Sequence, residues 1–588
     1  MIRNKRSLLQ TAARTFQPAR SLLAAYGVEG FCAVILLAMS LNLIALTARK
    51  SVTADELVLI PAAYYHLVTD DFQLVSEHPP LCKLLAGLPL LFIQPNEVPN
   101  EPVDPAVSRG DREWGYAIRF WQDNRARFET ISFWARLPMI ALTIAFGLVI
   151  FLFTRDLFGA RAALFAVALF SLEPTILAHA RVVQTDMPAA FGFLFSAFAL
   201  YRYLLAPNWK LAAAVGAAAG IAMLGKYSMV IVGPILLLVF LVLLWRHPNR
   251  RPRLAGHAVT AVFTLLLVVN AGYFFHHRAL TETDSQWVAS SFPSSQTLVW
   301  ASVRALKLVL PTDFVLGTYW QLHHTADGHN AALLGMYSQR GWWYYFPVAF
   351  ALKTTIPFLL LSVSSIAWGV YRVAWKREWL LLVLLIPLVL YTGLMMINPI
   401  DIGIRYYLPA YGFLFVLCGG MLEALLRWGA SKRTRLAWVP IVIAFSWICV
   451  EALRAYPNYM PYMNQLASSR PHWWYLSDSN VEWGDDVKDL AAYLQARGET
   501  RVRAILLGGY ATLGFYGVNY ENALTPATSP PRYTALGASF LNGSTIPFYE
   551  VDGKRVSDKT RVDTFDSFRH RPPEAIIGGS IYVYRMHD

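Results

Sequence analysis

The chain has 588 residues, 56% of them hydrophobic and 14% aromatic, with a mean hydropathy of +0.39. That is too apolar for a soluble globule of this length and fits a polytopic α-helical membrane protein. The net charge of +13 does not signal nucleic acid, because Lys and Arg fall in short segments between apolar runs and no basic face interleaved with aromatics is present.

Arg3, Lys5, Arg6, Arg14 and Arg20 precede the first apolar run, which has no small-residue cleavage site, so an uncleaved first helix is expected. Runs able to cross about 30 Å of hydrocarbon occupy 27–48, 131–153, 162–178, 188–205, 211–224, 229–245 and 258–275. After a long polar interval they resume at 344–371, 379–397, 406–426 and 436–453. The expectation is therefore about eleven transmembrane helices.

Orientation follows from charge, because basic residues collect in cytoplasmic loops. Arg155 and Arg161, Arg202 and Lys210, Arg246 with Arg250, Arg251 and Arg253, Arg372 with Lys376 and Arg377, and Arg427 with Lys432, Arg433 and Arg435 all fall on the side of the N-terminus. Arg49 and Lys50 are the exception and read as headgroup anchors. Loops 51–130, 179–186, 276–343 and 398–405, with everything after 455, then lie outside the cytoplasm. The expected setting is a bacterial cytoplasmic (inner) membrane.

Three modules are expected: a catalytic transmembrane module over 1–275 that includes the first outer loop, a variable transmembrane module over 276–455, and an extracytoplasmic α/β domain over 456–588. In the last, 485–496 reads as a helix and 502–507, 534–540 and 576–584 as strands. Cys32, Cys418 and Cys449 lie within apolar runs and Cys82 in the first outer loop, so no disulfide framework follows.

The cytoplasmic loops are too short for a nucleotide-binding domain, and neither a P-loop nor a Gly-rich dinucleotide fingerprint is present. An activated donor would have to arrive within the membrane, and a sugar on a polyprenyl phosphate does so. Transfer to a hydroxyl needs a carboxylate to take the proton, with cationic or metal stabilisation of the departing phosphate. The topology sets Asp55 and Asp186 on one face at the outer surface, with Glu56, Glu77, His78 and Lys83 in the same first loop. Ordinary structural roles compete with this reading. Asp55 precedes the run 56–68 and Asp186 precedes Met187-Pro188, so both can be helix N-caps, and Pro79-Pro80 can simply open a helix.

Asp55-Glu56, His78-Pro79-Pro80-Leu81 with Lys83-Leu84, and Thr185-Asp186 before Pro188 occur in the order seen in a known family. The pattern extends through Gly225-Lys226-Tyr227, Gly341-Trp342-Trp343-Tyr344-Tyr345-Phe346, Lys353 and Gly403-Ile404-Arg405-Tyr406. It resembles the protein O-mannosyltransferase superfamily of GT-C glycosyltransferases (family 39), related to the aminoarabinose transferases of lipid A.

The resemblance implies inverting transfer from a polyprenyl-phosphate sugar to a hydroxyl of a protein, lipid or glycan, with Asp55 as the base. Glu56, Asp186 and Glu77 would hold acceptor or sugar, and a divalent cation on Asp55 and Asp186 is allowed for by relatives that use one. His78 and Lys83 would flank the donor phosphate. Because Glu77-His78 stands where the aminoarabinose enzymes have an acidic residue and Lys, that contact would be shared with Lys353 or Arg405. Both of these can instead be snorkelling anchors, and Lys226 is ambiguous in the same way.

The β-trefoil insertion of the protein mannosyltransferases is not found. Instead 478–486 and the tail resemble an uncharacterised bacterial branch, with Glu482-Trp483-Gly484-Asp485 in the place of Asp-Trp-Gly-Gln. Asp478, Asp485 and Asp486 read either as a solvated acidic loop capping the next helix or as acceptor or cation ligands. The aromatics 342–346 suit an interfacial belt or a groove wall, and Trp473, Trp474 and Trp483 suit sugar stacking or anchoring of the tail. His276-His277 and His323-His324 with His329 raise a metal site, although no Cys or carboxylate accompanies them at ligand spacing.

A transporter or flippase of lipid-linked glycans is the alternative from another class, and would favour inverted repeats and ionisable residues at the bilayer midplane. Removal of 456–588 is expected to alter acceptor choice more than donor hydrolysis.

Overall fold

A computed structural model describes residues 22–98, 109–525, 530–546, 550–551, 554–555 and 558–586. Arg3, Lys5, Arg6, Arg14 and Arg20 lie outside them.

Among the described residues, nine helices are long and apolar enough to cross a membrane: Gly27–Arg49, Arg125–Phe158, Asp186–Leu205, Tyr227–Arg246, Pro248–Gly272, Ile356–Lys376, Trp379–Ile397, Ile404–Ser431 and Trp438–Ala455. The chain is a multi-span membrane protein. The other two expected spans are the shorter apolar helices Ala160–Leu172 and Trp209–Gly225, of 13 and 17 residues. Ile404–Ser431 is the hub, its apolar stretch 83% buried against 28% for the peripheral Trp438–Ala455.

Two runs expected to be continuous are broken, and the breaks meet. The run 162–178 divides at Glu173, where Pro174 starts a separate turn, Pro174–His179. The run 344–371 divides at Thr354 and Thr355, between Tyr345–Lys353 and Ile356–Lys376. Glu173 accepts hydrogen bonds from the amide and Oγ1 of Thr355 at 3.2 and 2.9 Å. Thr175 Oγ1 donates to the Lys353 carbonyl at 2.6 Å. A break in a membrane helix exposes backbone groups that must find partners inside the protein, and each break supplies them to the other.

Among its described residues the loop 51–130 carries four helices, Glu56–Thr69, Leu81–Gly87, Leu90–Ile93 and Arg109–Asp123. The loop 276–343 carries Glu282–Ser291, Gln296–Leu306 and Thr312–Asp327, then the antiparallel hairpin β1 (Ala331–Leu333) and β2 (Met336–Ser338).

After helix Val487–Gln495 the tail forms strands β3 (Arg501–Ile505), β4 (Asn519–Asn522) and β5 (Tyr533–Gly537). A two-strand ribbon, β6 (Glu550–Val551) and β7 (Lys554–Arg555), follows, then β8 (Ala575–Ile577) and β9 (Ile581–Arg585). The five-stranded order is β4-β3-β5-β9-β8, parallel across β4, β3 and β5 and antiparallel beyond. Val502, Ala504, Ala535, Ile581 and Val583 form one face and pack on Val487, Leu490 and Leu494. The expected helix and the strand within 502–507 are present; the expected strand 534–540 ends at Gly537, and the run 576–584, expected as one strand, turns after Ile577 to form the antiparallel pair β8 and β9. Edge strand β4, whose Asn-Tyr-Glu-Asn sequence lacks apolar alternation, was not anticipated.

The tail is knitted into the membrane module. Lys50, expected at the headgroups, is buried and pairs with Asp486, with Asp489 at 2.7 Å, and with Asn458 Oδ1 at 2.6 Å. The amides of Ser51 and Ala54 donate to the carbonyls of Asp485 and Trp483 at 2.9 and 2.8 Å. Asp478, Asp485 and Asp486 are buried rather than solvated, and Asp486 makes no side-chain cap to the helix it precedes.

Candidate active site

Asp55 stands at the N-cap of Glu56–Thr69 and Asp186 opens Asp186–Leu205, but neither structural reading holds, since no side-chain cap is made at the start of either helix. Asp55 Oδ2 accepts from Gln184 Nε2 at 2.5 Å and from Arg405 Nη1 at 2.8 Å. Asp186 Oδ1 accepts from Lys226 Nζ at 2.5 Å, and its Oδ2 lies 3.8 Å from the same Arg405 Nη1. The two carboxylates, 131 positions apart in the chain, therefore converge on one guanidinium. They differ in access: the Asp55 side chain is 31% exposed and that of Asp186 is 3%. Only Asp55 can meet an incoming group without rearrangement.

Aromatic faces hold the cations. Arg405 Cζ is 4.2 Å from the Trp483 ring centroid and 5.4 Å from that of Tyr406, while Lys226 Nζ is 3.8 Å from the other partner it has, the Tyr406 ring. His78 lies in the field of Glu77, Asp55, Lys83 and Lys226, and burial holds its imidazole below the ordinary histidine range despite the two carboxylates. Glu77 Oε2 is buried without a hydrogen-bond partner.

Three other expected site residues serve the scaffold. Glu56 is wholly buried and accepts from Arg136 Nε and Nη2 at 2.7 and 2.5 Å and from the amides of Thr53 and Val183 at 2.8 and 2.9 Å. It has no oxygen left for a sugar. Lys83 Nζ donates to the carbonyls of Val75 and His78 at 2.6 and 2.9 Å, closing the turn before Pro79. Lys353 Nζ donates to the carbonyls of Met460 and Asn480, each at 2.6 Å. Both ammonium groups are buried and turned to backbone, whereas Arg405 and Lys226 stand beside Asp55 and Asp186. Neither is a snorkelling anchor.

Gln184 was not anticipated, although it directly precedes Thr185-Asp186. Trp483 stacks on Arg405, which neither sugar stacking nor anchoring foresaw. The aromatic run divides: Tyr345 and Phe346 are buried, with Tyr345 OH accepting from Asn480 Nδ2 at 2.8 Å, while Trp343 is 66% exposed.

The histidines are occupied separately. His277 meets Asn270 and the Lys307 carbonyl, His323 meets Asp327, and His324 stacks on Trp320. Among the described residues no three His, Cys, Asp or Glu side chains assemble as a metal site. At Asp55 and Asp186 the position between the carboxylates is taken by the Arg405 guanidinium, a donor set that does not fit a divalent ion.

Residues 128–274 match the family model described as dolichyl-phosphate-mannose-protein mannosyltransferase. The match contains Asp186 and Lys226, whereas Asp55 and Arg405 lie outside it. No curated protein matches.

Similar solved structures include ArnT from Cupriavidus metallidurans bound to undecaprenyl phosphate, with a TM-score of 0.46 and 14% identity over 90% of this chain and 97% of that one. The oligosaccharyltransferase of Archaeoglobus fulgidus in its apo form gives 0.43 and 14%, over 85% and 61%. AglB of the same organism, in complex with an inhibitory peptide and a dolichol-phosphate, gives 0.42 and 13%, over 85% and 61%.

Proposed function

We propose that the chain transfers a sugar, with inversion, from a polyprenyl-phosphate donor to a hydroxyl acceptor at the outer face of a bacterial cytoplasmic membrane. The observation that carries this reading is the partly exposed Asp55 carboxylate held beside two cations, Arg405 and Lys226, at helix ends that share one face. The family match over 128–274 and the absence of any nucleotide-binding motif support a lipid-linked donor. The basic loops on the opposite side support the orientation.

In the reaction, Asp55 takes the acceptor hydroxyl proton as the acceptor oxygen bonds to the anomeric carbon. The bond from that carbon to the phosphate oxygen breaks, and its electron pair leaves with the polyprenyl phosphate. Arg405 and Lys226 stabilise the charge that develops there, the task a divalent ion performs elsewhere. Asp186 orients both cations. A transporter would favour inverted repeats and ionisable residues at the bilayer midplane, whereas Asp55, Asp186, Lys226 and Arg405 gather at helix ends on the side of the loops 51–130 and 398–405.

The test is purified Asp55→Asn supplied with polyprenyl-phosphate sugars extracted from membranes. Asparagine keeps an acceptor for Gln184 and Arg405 but cannot take a proton, so release of free polyprenyl phosphate in the presence of acceptor should fall by about 10²-fold or more. Binding of undecaprenyl phosphate should change only a few-fold. Turnover equal to the wild type would remove Asp55 as the base.

A further inference from the structure

Arg405 is 6% exposed, and its Nε is buried with no hydrogen-bond acceptor. A guanidinium buried to that extent with an idle N–H is oriented by its surroundings towards something it has yet to bind. Asp55, Asp186 and Tyr406 of the membrane module supply part of those surroundings, and the tail domain supplies the Trp483 face.

Ser479 Oγ donates to the Ile402 carbonyl at 2.8 Å, and the Ile404 amide donates to Asn480 Oδ1 at 2.9 Å. A Cβ on the intervening Gly403 would lie 2.3 Å from Ser479 Oγ, so the two segments touch and a larger residue there would push that hydroxyl aside. The Trp483 ring then lies against the Arg405 guanidinium, while the Trp483 carbonyl accepts the amide of Ala54, next to Asp55. Gly484 has φ +97°, and a Cβ there would come within 2.6 Å of the Leu507 carbonyl, so the turn that delivers Trp483 also depends on glycine.

We propose that the tail arc 479–483 is the positioning element for Arg405, with the Trp483 ring setting the guanidinium between Asp55 and the place where a lipid-linked phosphate binds. The arc does not touch the reacting atoms; it acts through Arg405. This rests on the function proposed above and deepens it, since the extracytoplasmic domain becomes part of the donor-phosphate site.

The experiment measures binding of undecaprenyl phosphate to the full-length protein in detergent for wild type, Trp483→Leu, Trp483→Phe, Arg405→Lys and Trp483→Leu with Arg405→Lys. Leucine fills space but has no π face, so Trp483→Leu should bind about tenfold more weakly, whereas Trp483→Phe should stay within about twofold. In the Arg405→Lys background the leucine substitution should cost much less, because its effect runs through the guanidinium. Should Trp483→Leu fail to fold, Ser479→Ala, which removes only the bond to Ile402, should weaken binding about threefold.

Unchanged affinity in Trp483→Leu, or an equal loss in both Arg405 backgrounds, overturns the positioning role; if Trp483→Leu does not fold, unchanged affinity in Ser479→Ala does so. Wild-type protein with no saturable binding overturns the proposed function, and this inference with it.

Discussion

Glu56 and Arg136 pair beneath the site with both side chains out of water, and Arg136 also donates to the carbonyls of Lys50 and Ser51. Breaking such a pair leaves a buried charge without its partner, at a cost of about 3–5 kcal/mol. Glu56→Gln should therefore lower thermal stability sharply, and Glu56→Gln with Arg136→Met should recover part of it, as read by unfolding in detergent. Lys83→Met strands the carbonyls of Val75 and His78 and should cost about 1–3 kcal/mol, while the folded fraction titrates undecaprenyl phosphate as the wild type does. A selective loss of affinity in that fraction would restore Lys83 to the phosphate site. These residues look like site residues in sequence because their charge is visible there, whereas the saturation of that charge by distant backbone is not.

The loop 398–403 joins two spans and delivers Arg405, and within it Asp401 is fully buried. Its Oδ2 accepts the Trp342 amide at 2.7 Å, and its Oδ1 has no partner. Burial pushes its carboxyl up to about 7, with the Trp342 amide pulling the other way. Below the ordinary carboxylate range of about 4, folded and unfolded chains are both protonated here and Asp401 carries no penalty. Between about 4 and about 7 the unfolded chain ionises while the folded one does not, so stability falls as pH rises; above about 7 the loss is complete. The thermal midpoint of the wild type should thus drop by a few degrees from pH 5 to pH 8, and the Asp401→Asn profile should be flatter over that window. Parallel profiles would remove Asp401 as the cause. At this scale the spans were legible from hydropathy alone. The breaks at Glu173 and Thr354-Thr355 were not, since each is satisfied by the other about 180 positions away.

The tail is tied to the membrane helices at several points rather than standing apart from them. Lys50 with Asp486, Lys353 with Met460 and Asn480, and Arg405 with Trp483 are three separate ties between the membrane helices and residues after 455. Deleting 456–588 should abolish donor hydrolysis and acceptor transfer together and lower the yield of monodisperse protein. Donor hydrolysis at the wild-type rate in the truncated protein would show that the membrane helices alone hold Arg405 in place.

Membrane class, near-complete span positions, the α/β character of the tail and the pairing of Asp55 with Asp186 could all be read in one dimension. Each depends on local periodicity or motif order. Which lysine binds backbone and which carboxylate reaches the opening depended on packing between segments as far apart as Asp55 and Trp483. Burial and hydrogen-bond saturation are set by neighbours in space, and linear order does not specify them.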